Sequence, residues 1–380
     1  MERNVTGQNY RLGILGGGQL GRMIIQEALN LGIDIHIMDP DSNAPCSGIA
    51  TTFTCGNIQD FDAVYAFGKS MDTLTVEIEN VSIEALYKLE SEGVKVFPQP
   101  RVLELIKDKG TQKQFYTDSE IPTAPYELWT KEMGTERIAQ HLPCAQKLRT
   151  GGYDGKGVQI LHEKQDLEKV FNAPCVIEEL IDFDKELSVI VARNHKGEIV
   201  TYPAVECEFN DANLVEFLFS PADISMETEQ KAQKLAHDVI TKLDMVGILA
   251  VEMFLTKSGE ILVNEIAPRP HNSGHHTIEC NECSQFEQHL RTVLDLPLGS
   301  TTMVRAGAML NITGEAHHSG PAIYHNYDKL LYFNGVHLHL YGKANTKPNR
   351  KMGHITVSGD NMNEVHQKVN QIRGLFKVLS

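Results

Sequence analysis

The chain has 380 residues, 41% of them hydrophobic, and a formal net charge of −15. That length suits two or three domains with real cores. The acidic balance excludes general nucleic-acid binding, which needs a basic footprint, but leaves room for local lysines and arginines to hold anionic small molecules.

Residues 11–100 alternate short apolar runs with helical patterns, the signature of a parallel sheet with covering helices. Arg11–Leu15 reads as a strand and Leu20–Leu31 as a helix. Between them, Gly16, Gly18 and Gly21 match G-x-G-x-x-G, which makes a helix N-terminus available to a phosphate without saying whose. Asp34–Met38 is the next strand, and Asp39 follows it near the spacing of a ribose-binding acid. An NAD(P)-dependent dehydrogenase is therefore a rival reading, and a simple Asp39-Pro40 turn is another. Phe61–Gly68 is helical and Thr73–Ile78 a strand. Glu77 and Glu79, two apart, would face the same way at its carboxyl end, as ligand contacts or as a solvated strand end. Ser82–Glu92 is helical, and Lys95–Phe97 a short strand.

Pro98 and Pro100 punctuate the end of this unit, Arg101–Ser119 reads as one helix, and Ile121-Pro122 opens a new region. Cys144–Leu148, carrying Lys147, and Val158–Leu161 read as a hairpin. Its tip runs Arg149-Thr150-Gly151-Gly152-Tyr153-Asp154-Gly155-Lys156-Gly157. Glycines let backbone N–H groups approach phosphate oxygens, and lysine adds charge. Cys175–Leu180 resembles an edge or linker strand that ends in Glu178 and Glu179, and Lys185-Glu186 follows. Its backbone suits the edge of a purine and a nearby carboxylate suits ribose, although adjacent glutamates also suit a solvated surface.

A helix presents Ala232, Leu235, Ala236, Val239, Ile240 and Leu243 on one face. Gly247–Leu255 and Ile261–Ile266 are strands joined by Lys257-Ser258-Gly259. Glu252 and Glu265 interrupt these apolar runs, and a buried charge needs a partner or a cation. Two facing carboxylates with phosphate and the Asn264 oxygen suit Mg²⁺. The run Arg269-Pro270-His271-Asn272-Ser273-Gly274-His275 suits a substrate-binding loop more than a zinc site, because the oxygen ligands upstream favour magnesium. Cys280 and Cys283 form a lone C-x-x-C among seven scattered cysteines and read as structural thiols. Pro297 marks a boundary. Strand candidates Arg305–Asn311, Val336–Tyr341 and His354–Val357 follow, then a helix around Asn361–Ile372. Lys343, Arg350 and Lys351 flank a glycine-containing turn and would close over an anionic substrate.

No run approaches the ~18 apolar residues of a membrane span, and Met1–Tyr10 lacks a signal-peptide core. A cytoplasmic protein with neither membrane nor nucleic-acid partners is expected.

In order and spacing these motifs resemble the ATP-grasp ligases, and within them the N5-carboxyaminoimidazole ribonucleotide synthase family. The most specific stretches are Asn264–His275 and Arg350-Lys351-Met352-Gly353-His354. The resemblance implies an α/β and α+β architecture: a Rossmann-like domain over 1–105, an ATP-grasp domain over 106–296 and a small β-rich domain over 297–380. It implies ATP-dependent joining of bicarbonate to 5-aminoimidazole ribonucleotide through carboxyphosphate, with ATP and Mg²⁺ as cofactors, in a homodimer. By position it assigns Lys109, Lys147, Gly152, Tyr153, Asp154, Gly155, Lys156, Gly157, Glu178, Glu179, Leu180, Ile181, Glu186, Asn264 and Glu265 to ATP. Glu252 and Glu265 go to the metal. Gly18, Gln19, Leu20, Glu77, Tyr153, Arg269, His271, Asn272, Ser273, Lys343, Arg350 and Lys351 go to the ribonucleotide, with the first glycine loop cradling its phosphate. Asp154 and Lys343 are the catalytic candidates.

Two positions depart from the family pattern. Lys109 stands where an arginine is usual, still cationic but without the fork geometry. Cys207-Glu208-Phe209 replaces a usual Asn-x-His. The remaining rivals are a formate-using glycinamide ribonucleotide transformylase and the dehydrogenase. A non-catalytic sensor is disfavoured by the presence of Lys147, Glu252 and Glu265.

Overall fold

The computed structural model describes residues 10–152, 157–209 and 215–380. The first unit is a five-stranded parallel sheet. In chain order it contains β1 (Leu12–Leu15), α1 (Gln19–Asn30), β2 (Ile35–Asp39), β3 (Thr52–Cys55), α2 (Phe61–Gly68), β4 (Thr73–Val76), α3 (Ile83–Ser91) and β5 (Lys95–Val96). The strand order is β3-β2-β1-β4-β5, with all pairings parallel. β1 and β4 are buried throughout; β1 reads Leu-Gly-Ile-Leu, whereas β4 alternates Thr-Leu-Thr-Val and buries both threonines. β3 was not foreseen. It is a short, mostly exposed edge strand, with the polar sequence Thr-Phe-Thr-Cys.

Two helices, not one, follow: α4 (Pro100–Lys107) and α5 (Lys109–Asp118). Asp108 breaks the helix expected over 101–119. Its backbone is extended, and its side chain caps α5 by accepting from the Gly110 amide at 2.7 Å. Arg149 grips the same carboxylate, with Nη2 at 2.6 Å from Oδ2. The break places Lys109 on the first turn of α5.

A four-stranded sheet, order β6-β9-β7-β8, comes next. It holds β6 (Tyr126–Trp129), then α6 (Thr135–Ala139), then β7 (Cys144–Leu148), β8 (Val158–Leu161) and β9 (Cys175–Glu179). The expected hairpin is present as antiparallel β7 and β8. A large sheet follows, built from β10 (Phe183–Arg193), β11 (Ile199–Thr201), β12 (Val205–Phe209), β13 (Val215–Ser220), β14 (Gly247–Thr256) and β15 (Ile261–Ala267). α7 (Met226–Lys242) covers it, and buries Ala232, Ala236, Val239 and Ile240. α8 (Thr277–Cys280) and α9 (Gln285–Val293) lie beyond.

The last segment adds β16 (Ala306–Thr313), β17 (Gly320–Pro321), β18 (Ile323–His325), α10 (Tyr327–Leu330), β19 (Val336–Leu340), β20 (Asn345–Thr346), β21 (Lys351–Gly359), α11 (Met362–Ile372) and β22 (Lys377–Leu379). β13 pairs with β16, so one sheet runs from β15 to β19 across the Pro297 boundary. One apolar cluster joins Leu20 and Met23 of α1, Phe286 and Leu290 of α9, and Tyr341. The helix after the first glycine loop, α9 and the segment that leads to Lys343 therefore share a core.

Candidate active site

β14 and β15 supply the acidic floor. Glu252 lies opposite Glu265, but Met253 lies opposite Val263, so Asn264 is an extra residue in a β-bulge. In a regular strand Asn264 and Glu265 would point to opposite faces; a bulge re-aims them. Both meet lysines. Lys147 donates to Asn264 Oδ1 at 2.8 Å, and Lys109 is ion-paired with Glu265.

β7 and β9 are neighbours, and from them Lys147 and Glu178 form a buried pair at 2.8 Å. A third member, Lys113 of α5, lies 3.3 Å from the other Glu178 oxygen and 2.6 Å from Thr123 Oγ1. Lys113 and Glu178 are each only 3% exposed. Sequence reading missed Lys113, although it lies one helical turn beyond Lys109. Burial, with repulsion from Lys147 and Lys109, outweighs Glu178 and pulls the Lys113 ammonium down to about 8. Burial opposes the charge on Lys147 as well, but Glu178 prevails and raises it. The two lysines hold Glu178 below its ordinary value against the cost of burial. The Glu178 side chain is thus committed to lysines. Beyond it Glu179 is exposed, and Leu180 and Ile181 are half-buried.

Burial and the neighbouring Glu265 and Glu186 push Glu252 up to about 7. Glu186, on β10, is raised by burial to about 7. Burial opposes ionisation of Glu265 too, but Lys109 overcomes it and lowers that carboxyl. The Glu265 side chain is still 47% exposed. Among the described residues no group of three or more His, Cys, Asp or Glu side chains forms a metal cage. A divalent ion here would need phosphate oxygens as further ligands, the habit of Mg²⁺. Two carboxylates that repel each other, one of them open, fit such an ion.

Gly152 has φ +79°, and a Cβ there would lie 2.5 Å from Gly157 Cα. These two glycines close the base of the hairpin tip. Tyr153, Asp154, Gly155 and Lys156 lie outside the described residues.

At the other wall, β4 ends at Val76, so Glu77 and Glu79 do not share a strand face as expected. Glu77 turns back to accept from the Gly18 and Gly21 amides at 2.5 and 2.6 Å. The glycine loop therefore does not offer those two amides to a phosphate; a carboxylate already caps this helix start. Asp39 accepts from the Gly17 amide at 2.7 Å and the Asp41 amide at 2.8 Å, which closes its own turn. Glu79 pairs with Arg269 at 2.7 Å. His271 Nε2 is 3.8 Å from Glu252 and its Nδ1 is 2.9 Å from Ser273 Oγ. Ser273 Oγ also meets Ser188 Oγ at 2.8 Å. Gln285 clamps His271, accepting from its amide at 2.9 Å and donating to its carbonyl at 2.7 Å. Asn272 and Ser273 are buried.

Lys343 donates to the Lys351 carbonyl at 2.7 Å, and Arg350 donates to the Asn345 carbonyl at 2.8 Å. A Cβ on Gly342 would lie 3.7 Å from Arg22 Nη1, so this turn sits over the start of α1. At the departing Cys207, directly opposite Glu186 in the β10–β12 ladder, the thiol is buried. Burial and the Glu252, Glu186 and Glu206 carboxylates raise its pKa. Cys280 and Cys283 are buried thiols, each raised by burial to about 12.

Three family models match successive parts of the chain. Residues 10–107 match a ribonucleotide synthetase preATP-grasp domain, 114–286 an ATP-grasp domain, and 307–368 a phosphoribosylaminoimidazole carboxylase C-terminal domain. The N5-carboxyaminoimidazole ribonucleotide synthase of Bacillus subtilis (strain 168) is 37% identical over 94% of this chain and 93% of its own. The crystal structure of N5-carboxyaminoimidazole ribonucleotide synthetase from Thermotoga maritima is 39% identical, with a TM-score of 0.89 over 98% of this chain and 99% of that one. The Aspergillus clavatus N5-carboxyaminoimidazole synthase, crystallised with ADP and 5-aminoimidazole ribonucleotide, is 33% identical, with a TM-score of 0.86 over 97% and 98% of the two chains.

Proposed function

The chain belongs to the N5-carboxyaminoimidazole ribonucleotide synthase family, and we propose from that premise that it joins bicarbonate to the amine of 5-aminoimidazole ribonucleotide, with ATP converted to ADP and phosphate. It is an ATP-dependent ligase of purine biosynthesis. One observation carries the reading: Lys109, Lys147, Glu252 and Glu265 converge from α5, β7, β14 and β15, beside the loop that carries Arg269 and His271.

In this reading a bicarbonate oxygen attacks the γ-phosphorus and the bond to ADP breaks, giving carboxyphosphate. The amine nitrogen then attacks the carboxyl carbon, and phosphate leaves with the bonding electrons. The amine loses a proton, for which Asp154 is the candidate acceptor. Lys147 and Lys109 hold ATP phosphates, with Gly152–Gly157 covering them. Lys109 has to leave Glu265 to do so. Mg²⁺, held by Glu252 and Glu265 with Asn264 alongside, would offset the charge that builds on the transferred phosphoryl group. Leu180, Ile181 and the backbone at Glu178 and Glu179 line the adenine, and Glu186 the ribose.

Gln19, Leu20, Glu77, Arg269, His271, Asn272 and Ser273 form the ribonucleotide side. Glu77 repels a phosphate and so faces ribose hydroxyls. Lys343, Arg350 and Lys351 hold the 5′-phosphate and the reacting carboxylate. A cytoplasmic homodimer is part of the same proposal.

Ligand-dependent melting separates this reading from the dehydrogenase. Mg·ATP at 100 times its Kd should stabilise the fold by about 2.7 kcal/mol, with no shift from NAD(P). A shift with NAD(P) and none with Mg·ATP would overturn it.

A further inference from the structure

Behind the Lys343 turn lies a set of three imidazoles, His275 and His354 buried and His339 half-buried, that the proposed chemistry does not use. His354, on β21 three residues beyond Lys351, is fully buried. Its ring stacks on His339 of β19, with centroids 4.3 Å apart and planes at 10°. It also meets His275, with centroids 4.8 Å apart and planes tilted by 43°. The Tyr341 hydroxyl lies 2.9 Å from His354 Nδ1. The ends of the set are pinned: His339 Nε2 bonds Glu279 at 2.7 Å, and His275 Nδ1 meets Gln285 Nε2 at 3.1 Å. That glutamine is the one that clamps His271.

The contacts of His354 join the segments that carry Lys351, Lys343 and the Arg269–His275 loop. Tyr341 belongs to the core with Leu20, Met23, Phe286 and Leu290, and is followed by Gly342 at φ +75° and then Lys343. Lys343 folds back, 5.6 Å above the Tyr341 ring, and bonds the Lys351 carbonyl. His275 closes the loop that begins at Arg269. Apolar side chains would fill this volume without a desolvation penalty. Polar groups buried here cost free energy unless their hydrogen bonds are met. Burial keeps His275 and His354 neutral, so the stacked rings do not repel one another as cations.

We propose that His354 is a positioning residue: held by the Tyr341 hydroxyl, stacked on His339 and tilted against His275, it fixes the Lys343–Lys351 wall against the Arg269–Ser273 wall and so sets affinity for the ribonucleotide. The inference rests on the ribonucleotide reading above.

Tyr341→Phe keeps the ring and removes the hydroxyl. It should raise the ribonucleotide KM at least about 5-fold, the lower end of the cost of leaving one buried hydrogen-bonding group unmet, with the ATP KM within about twofold. In a His354→Ala background the same change should add almost nothing, because both act through one bond. His354→Asn retains a hydrogen-bonding group near the Nδ1 position, able to accept or donate. It should recover part of the affinity lost in His354→Ala, and it serves as the background if the alanine variant does not fold. Three results each overturn the proposal: an unchanged ribonucleotide KM in Tyr341→Phe, an ATP KM that rises in step with it, or additive effects. The wild type is the control. Absence of ribonucleotide-dependent ADP release there refutes the substrate assignment and this inference with it. Such release with unchanged variants refutes this inference alone.

Discussion

Glu178 is the most exacting place to perturb this protein. Its carboxylate is the counter-charge of two buried ammoniums, Lys147 at 2.8 Å and Lys113 at 3.3 Å. Glu178→Gln keeps the shape and removes the charge. Stripping one partner from a buried ion pair costs ~3–5 kcal/mol. Lys113 limits the loss, because its ammonium already sits at about 8 and sheds its proton readily once Glu178 is neutral. The lower end, about 3 kcal/mol, is the expected cost. Because one sheet joins the central and C-terminal segments, the whole 380-residue chain is the unfolding unit, and at ~2.1 cal/mol/K per residue that is a fall in Tm of roughly 4 °C. Lys113→Met added to Glu178→Gln removes the surplus cation and should restore part of the loss. The ATP KM should rise in Glu178→Gln, because Lys147 loses its anchor. Thermal unfolding of the two variants, with ATP KM, checks all three statements. A Tm within about 2 °C of wild type, or a double variant less stable than Glu178→Gln, would refute the argument.

Glu265→Gln should lower turnover at least ~100-fold, since it removes a charge next to the transferred phosphoryl group; near-normal activity at ordinary Mg²⁺ would exclude it from the site. Gly18→Ala would place a Cβ 2.6 Å from Glu77 Oε1 and drive that carboxylate off the helix start. The ribonucleotide KM should rise about tenfold with the ATP KM unchanged, and the reverse pattern would exchange the two loops. Glu252 and Glu186 carry pKa values raised from 4.5 to about 7, so the folded chain binds more protons than the unfolded chain between those values. Their contribution to stability therefore falls as pH rises from 4.5 to about 7. Binding of Mg·ATP near pH 7 should release protons from them. Calorimetry in buffers of different ionisation enthalpy reads that release, and buffer-independent heats would count against it.

Most of the N-terminal sheet was legible because short β-prone runs at β1, β2 and β4 alternate with periodic helices, whereas β3, exposed and polar, left no such signal. The residues that set up the site were less so. Asp108 looked like a mid-helix acid, although Asp is a favoured N-cap residue, and the consequence was a helix drawn straight through Lys109. The β14–β15 hairpin looked regular, so the bulge that aims Asn264 and Glu265 at two lysines was invisible. Glu77 and Glu79 were placed on one strand face because nothing local marks the strand end at Val76; the glycine loop and Arg269 that claim them are distant in sequence. Lys113 and the His339–His354 stack share that cause. Their partners come from segments whose adjacency only the fold establishes.

The account's central claim is tested most directly by ADP release from the purified chain with Mg·ATP, 5-aminoimidazole ribonucleotide and bicarbonate, each acceptor omitted in turn. It predicts full release, with one ADP per carboxylated ribonucleotide, only when both are present. Release that is indifferent to bicarbonate, or that follows formate with glycinamide ribonucleotide instead, would contradict it.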